Sequence, residues 1–412
     1  MADIISGKSR FLSSNKDKRV YRIDGDEPED EENYYKKIRR HKRRKIVTGL
    51  LGIALVVVIV IAVSYMIDSV SYTDYAVNYS VNRDDSETTC YTEYKDGCLR
   101  YSNDGIAYHS SKGTSVWDKT FSMQKPQVKI CGNAVAVGDI NGSTIYVFNA
   151  SGAMGSIDTS LNIAQIEVTS QGLVAAVLED NEANYINLYN ASGEKIYSVK
   201  TSLSGDGYPL DISVSEDGTK LMASYLYVSG ESMKTNVVFY NFSDVGQNET
   251  ERIVGGFNHY NDTIVGDVFF MDNKTAVAVG ENLISIYKIK EYPKLYKEIT
   301  IDNEIERVFF SSEYIGIVQK NEESGDVYKL AVYNTSGSRV CQTTFNTQCD
   351  KIKLDGKTIV MNNDSTLFLM NFKGRKLAEI QTTLPVTEFL TTGKRGSYIL
   401  VSSKYVQFIK LK

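Results

Sequence analysis

Side chains that commonly perform catalysis or bind metals are scarce beyond the first 70 residues of this chain. Only two of its three histidines, His109 and His259, lie there, together with five cysteines. Nucleophilic hydrolysis needs a Ser or Cys activated by a His, and the chain has no Gly-x-Ser-x-Gly motif. A zinc site needs Cys and His at short spacings such as Cys-x-x-Cys, and no such spacing occurs. We therefore predict no catalytic residue and no metal ligand.

Four of the cysteines form two pairs with the same separation along the chain: Cys90 with Cys98, and Cys341 with Cys349. Outside the cytoplasm, thiols that lie close together persist as disulfides. The spacing predicts two local disulfides, with Cys131 left unpaired. Small buried thiols are the alternative, and they become the better interpretation if the organism is an anaerobe.

Paired carboxyl groups are the remaining source of catalytic chemistry. Glycoside cleavage uses two Asp or Glu side chains, and a fold built from repeats can bring such a pair together from distant parts of the chain. Clustered acids with raised pKa values would favour an enzyme. A channel poor in acids, with aromatic side chains on one rim, would favour a binding protein.

Tyrosine is unusually abundant, with 28 Tyr against 15 Phe. A Tyr ring packs while its hydroxyl group stays hydrated, so Tyr suits both strands and binding surfaces. The longest irregular insert is Val228–Asn236, and Tyr225 and Tyr227 directly precede it. Because inserts in repeat proteins often carry recognition, we predict these two tyrosines to be partner-binding residues.

The elements that must position these residues are strands that repeat about every 44 residues. Each repeat has a first strand, a turn, a short apolar strand, an aromatic-rich strand ending in Asn or Ser, a second turn and a fourth strand. Val, Ile, Tyr and Phe dominate, as expected of β-sheet. The turn glycines mark the register: Gly113, Gly152, Gly193, Gly337 and Gly374. The pattern predicts an all-β domain, a β-propeller of eight four-stranded blades, with seven blades as the alternative.

Two details of this propeller are predicted from the repeat. The last repeat has three strands, and Tyr75–Val81 is a spare strand, so we expect it to pair with Tyr405–Leu411 and close the ring. The tyrosines of the third strands should occupy equivalent positions in their blades. They are Tyr146, Tyr189, Tyr287 and Tyr333.

A run of 22 uncharged residues, 46–67, follows a strongly basic segment. A helix of this length is about 33 Å long, enough to cross a hydrocarbon core of about 30 Å. Basic residues are retained in the cytoplasm and can contact anionic lipid. The sequence predicts a single transmembrane helix with the N-terminus inside. The basic residues that set this topology are Lys36, Lys37, Arg39, Arg40, Lys42, Arg43, Arg44 and Lys45.

The predicted organisation has four parts. Residues 1–45 form a disordered cytoplasmic tail, 46–67 the membrane helix, 68–74 a short tether, and 75–412 the extracytoplasmic propeller. The chain has a net charge of −5 although its basic residues are concentrated before the span, so the propeller is acidic. An acidic domain argues against nucleic acid as a ligand.

The repeats resemble those of known propeller families. Ile212–Ser224 is similar to the strand–turn–strand signature of TolB/YVTN-type and WD40-like bacterial propellers. The Tyr-Asn-x-Ser-Gly repeats resemble quinoprotein-like blades, but those carry a Trp in each blade and this chain has only Trp117. We therefore predict no quinone cofactor. The layout as a whole resembles DUF5711, a family of Gram-positive membrane proteins, which implies a bacterial cell-surface protein without an established activity.

These observations favour a non-catalytic, membrane-anchored propeller at the cell surface. It would bind a protein or peptide partner or act as a scaffold in an envelope complex. The alternative is an extracytoplasmic enzyme that acts on a glycan through acidic residues in the propeller channel.

Overall fold

The chain folds into two units, a helical one that ends at Ser69 and a β-sheet one that spans Val70–Lys412. The computed structural model describes residues 28–86, 88–203, 205–260, 263–322, 325–346 and 348–412.

Helix α1 spans Pro28–Ser69. Pro is well tolerated in the first turn of a helix. Residues 28–45 of the predicted tail belong to this helix, and residues 1–27 lie outside the described part. The eight basic residues of this segment are exposed along α1.

The membrane span predicted at residues 46–67 lies within α1. Among the residues that the structure describes, no helix is both long enough and apolar enough to cross a membrane. The structure therefore gives this prediction no support.

In the described part of the β unit, the strands form eight four-stranded antiparallel sheets, which confirms the eight-bladed propeller. Each blade is numbered in chain order. Blade 1 comprises β2 (Cys90–Tyr94), β3 (Gly97–Ser102), β4 (Gly105–His109) and β5 (Ser115–Thr120). Blade 2 comprises β6 (Pro126–Cys131), β7 (Ala134–Asp139), β8 (Thr144–Asn149) and β9 (Gly152–Asp158). Blade 3 comprises β10 (Asn162–Val168), β11 (Val174–Glu179), β12 (Ala183–Tyr189) and β13 (Lys195–Ser202). Blade 4 comprises β14 (Tyr208–Val214), β15 (Lys220–Ser229), β16 (Ser232–Asn241) and β17 (Ile253–Tyr260), with a short helix α2 (Asp244–Gln247) between its last two strands.

The second half of the ring repeats the same order of strands. Blade 5 comprises β18 (Val265–Asp272), β19 (Thr275–Gly280), β20 (Leu283–Ile289) and β21 (Pro293–Thr300). Blade 6 comprises β22 (Ile305–Phe310), β23 (Tyr314–Lys320), β24 (Tyr328–Asn334) and β25 (Arg339–Phe345). Blade 7 comprises β26 (Lys351–Asp355), β27 (Thr358–Asn362), β28 (Thr366–Asn371) and β29 (Lys376–Gln381). Blade 8 comprises β30 (Val386–Thr391), β31 (Ser397–Ser402), β32 (Tyr405–Leu411) and the N-terminal strand β1 (Tyr75–Asn82).

Blade 8 closes the ring with strands from both ends of the β unit, as predicted. β1 pairs antiparallel with β32, with Tyr75 opposite Leu411 and Val81 opposite Val406. Within the segment predicted as a tether, Tyr72 forms a bridge to Ala378 of blade 7. β1 thus completes blade 8 and covers the edge that β32 would otherwise expose.

Apolar side chains fill the gaps between neighbouring blades. Every adjacent pair of blades in the described part shares one buried cluster, including blade 8 with blade 1, where Leu390 and Phe408 pack with Tyr91 and Cys98. The second strands are buried on both faces, which explains their run of small apolar residues. Close packing between neighbouring sheets favours such residues. The core as a whole consists of these inter-blade clusters, which follow one another around the ring.

The third strand of most blades ends in a residue that organises the following turn. The Oδ1 atoms of Asn149, Asn190 and Asn334 accept hydrogen bonds from the backbone N–H two residues later, at 2.8 to 3.1 Å. These Asx turns explain why Asn recurs at the end of the third strand.

The predicted equivalence of the third-strand tyrosines is right for three residues and wrong for one. Tyr189, Tyr287 and Tyr333 each follow the bulge that bends the third strand against the fourth. In blade 2 the residue at that position is Phe148, and Tyr146 lies two residues earlier. Both aromatic side chains alternate onto the same face of β8, so the sequence pattern alone did not separate them.

Candidate functional site

Of the four cysteines in the two predicted pairs, Cys90 is exposed, whereas Cys98, Cys341 and Cys349 are buried. Cys90 lies opposite Tyr101 and Cys98 lies opposite Glu93, so the two cysteines are three positions out of register. That offset of about 10 Å along the strands prevents a disulfide, which needs Cα atoms within about 7 Å. Cys341 and Cys349 both belong to the buried cluster between blades 6 and 7. Burial raises the pKa of the Cys98 thiol to about 12 and that of Cys349 to about 11.

His259 and His109 lie in different surroundings. His259 Nε2 lies 3.1 Å from Glu298 on the exposed outer strands of blades 4 and 5. His109 is half-buried at the bulge of β4, and burial lowers its pKa. Within the described residues no group of His, Cys, Asp and Glu is arranged to hold a metal ion.

The predicted partner-binding tyrosines separate into one core residue and one surface residue. Tyr225 is only 2% exposed, and its hydroxyl group shares a 2.9 Å hydrogen bond with that of Tyr240. It therefore cannot contact a partner, and this prediction is wrong. Tyr227 is half-buried. Both side chains lie on the same face of β15, and Tyr227 is more exposed because the flanking strands end before it.

The segment Val228–Asn236, predicted as an irregular insert, is a regular hairpin that projects from blade 4. β15 and β16 pair without interruption from Lys220/Asn241 to Ser229/Ser232. The neighbouring strands stop earlier, since Tyr208 of β14 lies opposite Leu226 and Tyr260 of β17 lies opposite Thr235. The last three residue pairs therefore extend about 10 Å beyond the rest of the blade.

The tip of this hairpin carries apolar side chains. Val228 and Met233 lie directly opposite each other and are 75% and 62% exposed. Gly230, with φ of +65°, forms the turn. The tip lies on the face where the second and third strands of each blade are joined, which we call the hairpin face.

A cleft opens on the hairpin face next to the tip, between blades 3 and 4. Its volume is about 340 Å³. Glu179 and Asp180 come from the β11–β12 turn, and Leu203 and Tyr208 from the connection between the two blades. Tyr208 adjoins the hairpin, because it pairs with Leu226. The cleft and the apolar tip therefore lie side by side.

Two hydrogen-bonding groups of the cleft are notable. The Tyr208 hydroxyl donates to Glu179 Oε1 at 2.5 Å, and burial, followed by this hydrogen bond, raises the Tyr208 pKa to about 12. Asn184 is 2% exposed and lines the cleft, and its Nδ2 donates no hydrogen bond in the structure. The sequence analysis missed these residues because they belong to two blades and carry no motif.

A cavity along the innermost strands of blades 2 to 6 is lined by one lysine, three acids and several apolar side chains. Lys129 forms an ion pair with Glu167 of the next blade, and Asp211 accepts hydrogen bonds from Gln165 and, at 2.7 Å, from the backbone N–H of Val268. These contacts join the innermost strands of blades 2 to 5. Burial raises the pKa of Glu167, Asp211 and Asp267, and Lys129 partly offsets the increase.

Comparison with known proteins identifies the class and then the family of the chain. The fold is that of an eight-bladed β-propeller with its ring closed by strands from both ends of the β unit. Residues 68–411 match DUF5711, described as a family of unknown function, and the chain belongs to that family. A search of curated proteins finds no match.

Solved structures share the fold at low sequence identity. BamB from Moraxella catarrhalis matches with a TM-score of 0.53 and 10% identity over 82% of this chain and 99% of that protein. Sqt1 from Saccharomyces cerevisiae matches with a TM-score of 0.53 and 12% identity over 84% of this chain and 99% of that protein. These similarities establish the propeller architecture.

Proposed function

We propose that this protein is a docking platform whose hairpin face binds a protein partner. The observation that carries the proposal is the projecting tip with its exposed Val228 and Met233. Large apolar side chains at a rigid, projecting position are a typical anchor for a partner protein. A regular hairpin is also preorganised, which lowers the entropy cost of binding.

The proposal includes a location at the outer face of a bacterial cell membrane. Its support is the 22-residue uncharged run behind eight Lys and Arg residues. A span at this position would leave the basic segment inside and the propeller outside. A platform held there would meet partners in the cell envelope.

Site-specific photo-crosslinking in intact cells tests both parts of the proposal. Benzoylphenylalanine at position 228 should give one discrete adduct, whereas the same probe at Val116, which is 50% exposed on blade 1, should give none. Val228→Ser/Met233→Ser should weaken binding of the identified partner by about 30-fold, the effect of losing one hot spot of about 2 kcal/mol.

The controls separate binding from folding and from location. Val228→Ser/Met233→Ser should change the free energy of unfolding by less than about 0.5 kcal/mol, because both side chains are at the surface. Protease added to intact cells should remove the propeller and its adduct. Equal adducts at positions 228 and 116 would rule out docking by the tip, and a protected propeller would rule out the orientation.

A second candidate function is glycan cleavage by carboxyl groups in the channel. The raised pKa values of Glu167, Asp211 and Asp267 favour it. The contacts of Glu167 and Asp211 favour a structural role. Glu167 forms an ion pair with Lys129, and Asp211 accepts a hydrogen bond from the backbone of blade 5. Docking is therefore the function that the geometry supports better.

Asp267→Asn distinguishes the two candidates. Because burial raises the pKa of Asp267, the native protein holds this proton more strongly than the unfolded chain. The free energy of unfolding should thus fall as pH rises from about 3.9 through the raised pKa. In a docking protein the variant should be more stable at pH 7, by less than about 1 kcal/mol because water in the channel screens the charge, and no more stable at pH 3.

The measurement is urea unfolding at both pH values, combined with hydrolysis of fluorogenic N-acetylglucosaminides. A catalytic role would instead appear as hydrolysis by the natural protein that Asp267→Asn abolishes. Such a result would identify glycan cleavage, and not docking, as the function.

A further inference from the structure

The cleft on the hairpin face is lined by acidic side chains and by no basic ones among the described residues. Its two carboxyl groups, Glu179 and Asp180, are adjacent in the chain, and the residues that line the cleft include no Lys or Arg. Glu179 Oε1 accepts the Tyr208 hydroxyl, and Asp180 Oδ1 accepts the backbone N–H of Asn181 at 2.8 Å. Each carboxylate has two oxygens, so each retains capacity for a further donor.

Asn184 provides an independent sign that the cleft takes a ligand. Its side chain is almost fully buried, and the Nδ2 atom has no acceptor among the residues that the structure describes. A buried donor without a partner costs about 1 to 3 kcal/mol, and a ligand carbonyl oxygen in the cleft would remove that cost. The backbone of an extended peptide offers such an oxygen at every residue.

We propose that the cleft binds an arginine side chain of the docked partner, with Glu179 and Asp180 contacting the guanidinium and Asn184 donating to a backbone carbonyl of the same segment. Leu203 and Tyr208, 42% and 37% exposed, would contact an apolar neighbour of that arginine. This inference rests on the proposed docking function and names the chemistry of the partner: a basic segment with apolar flanks.

The charge of the cleft favours arginine over a carbohydrate. Amides, carboxylates and a Tyr ring also suit a sugar, but a neutral sugar would leave two adjacent negative charges uncompensated in a partly enclosed site. A guanidinium removes their repulsion and donates several hydrogen bonds in a planar fork that matches carboxylates. Opposite charges across an interface also accelerate association.

The test uses two peptide probes and the full-length chain purified in detergent. The probes are N-acetyl-Leu-Arg-Leu-amide and the same peptide with citrulline, which keeps the shape of arginine without its charge. Microscale thermophoresis should show that the arginine peptide binds at least fivefold more tightly. Glu179→Gln/Asp180→Asn should abolish this difference, and Asn184→Ala should weaken both peptides by about three- to tenfold.

Glu313→Gln is the matched control, because Glu313 is an exposed acid in the β22–β23 turn on the opposite face. It should leave both affinities unchanged, and each variant should unfold at the temperature of the natural protein within about 2 °C. Equal binding of the two peptides would overturn the proposal. So would binding of di-N-acetylchitobiose that depends on Glu179 and Asp180 together with no binding of the arginine peptide.

The cleft and the docking function can fail separately. If the arginine preference is found but position 228 gives no specific adduct, the cleft proposal stands and docking through the tip falls. If the adduct forms but the citrulline peptide binds as well as the arginine peptide, docking stands and the cleft proposal falls.

Discussion

Deletion of residues 405–412 is expected to yield an insoluble or protease-sensitive propeller. The deletion removes β32, which pairs with both β1 and β31 in blade 8. Its buried side chains are Val406, Phe408, Ile409 and Leu411. Burial of each contributes about 1.5 to 3 kcal/mol, so the sum approaches the whole stability of a typical domain, about 5 to 15 kcal/mol. β1 would also lose its only sheet partner and expose strand edges that promote aggregation.

The measurement is the soluble fraction after expression and limited proteolysis of what remains soluble. Two point variants of β32 give a graded comparison with the truncation. Phe408→Ala should destabilise by about 3 to 5 kcal/mol, whereas Lys410→Ala, at an exposed position of the same strand, should change stability by less than about 0.5 kcal/mol. A soluble truncated protein with an unchanged melting temperature would show that blade 8 does not hold the ring closed.

The number of blades and the closure of the ring could be predicted because both follow from local patterns repeated many times. Each Asn at the end of a third strand forms the same Asx turn, and each turn fixes the register of its own blade. The β unit has one spare strand at its N-terminal end, and its last blade lacks one strand. Counting the strands is therefore enough to predict that the two ends pair. Where two aromatic residues shared one face, as at Tyr146 and Phe148, the pattern could not identify the equivalent position.

The candidate site could not be predicted because its parts are distant in sequence and individually ordinary. Glu179 and Asp180 belong to a polar turn, and Tyr208 begins a strand in the next blade. Only the packing of blade 3 against blade 4 places them around one cleft. The equal spacing of the cysteines was misleading for a similar reason, since Cys90 and Cys98 lie on paired strands but face different partners.

The hairpin shows most clearly why strand register limits such predictions. Ser, Gly and Glu at 229–232 suggested an irregular insert, yet they form a two-residue turn between two long strands. Because the hairpin is regular, alternation along its strands determines the face on which each side chain lies. The apolar residues available to a partner are then Val228 and Met233, and Tyr225 belongs to the core between blades 3 and 4.

Tyr225→Ala is expected to destabilise the propeller by about 3 to 5 kcal/mol, the usual cost of deleting a buried aromatic ring. The ring lies in a cluster with Ile212, Leu221 and Tyr240, and its loss would leave a cavity and an unsatisfied hydroxyl group on Tyr240. Tyr225→Phe retains the ring and should cost about 1 kcal/mol through the lost hydrogen bond. Tyr227→Ala, at the half-buried position two residues later, should cost less than about 1 kcal/mol.

Chemical denaturation of the three variants measures these differences, and partner capture by the probe at position 228 should persist in Tyr225→Phe. If Tyr225→Ala retained full stability but lost the partner, Tyr225 would be a contact residue and the assignment of the binding surface to the hairpin tip would be wrong.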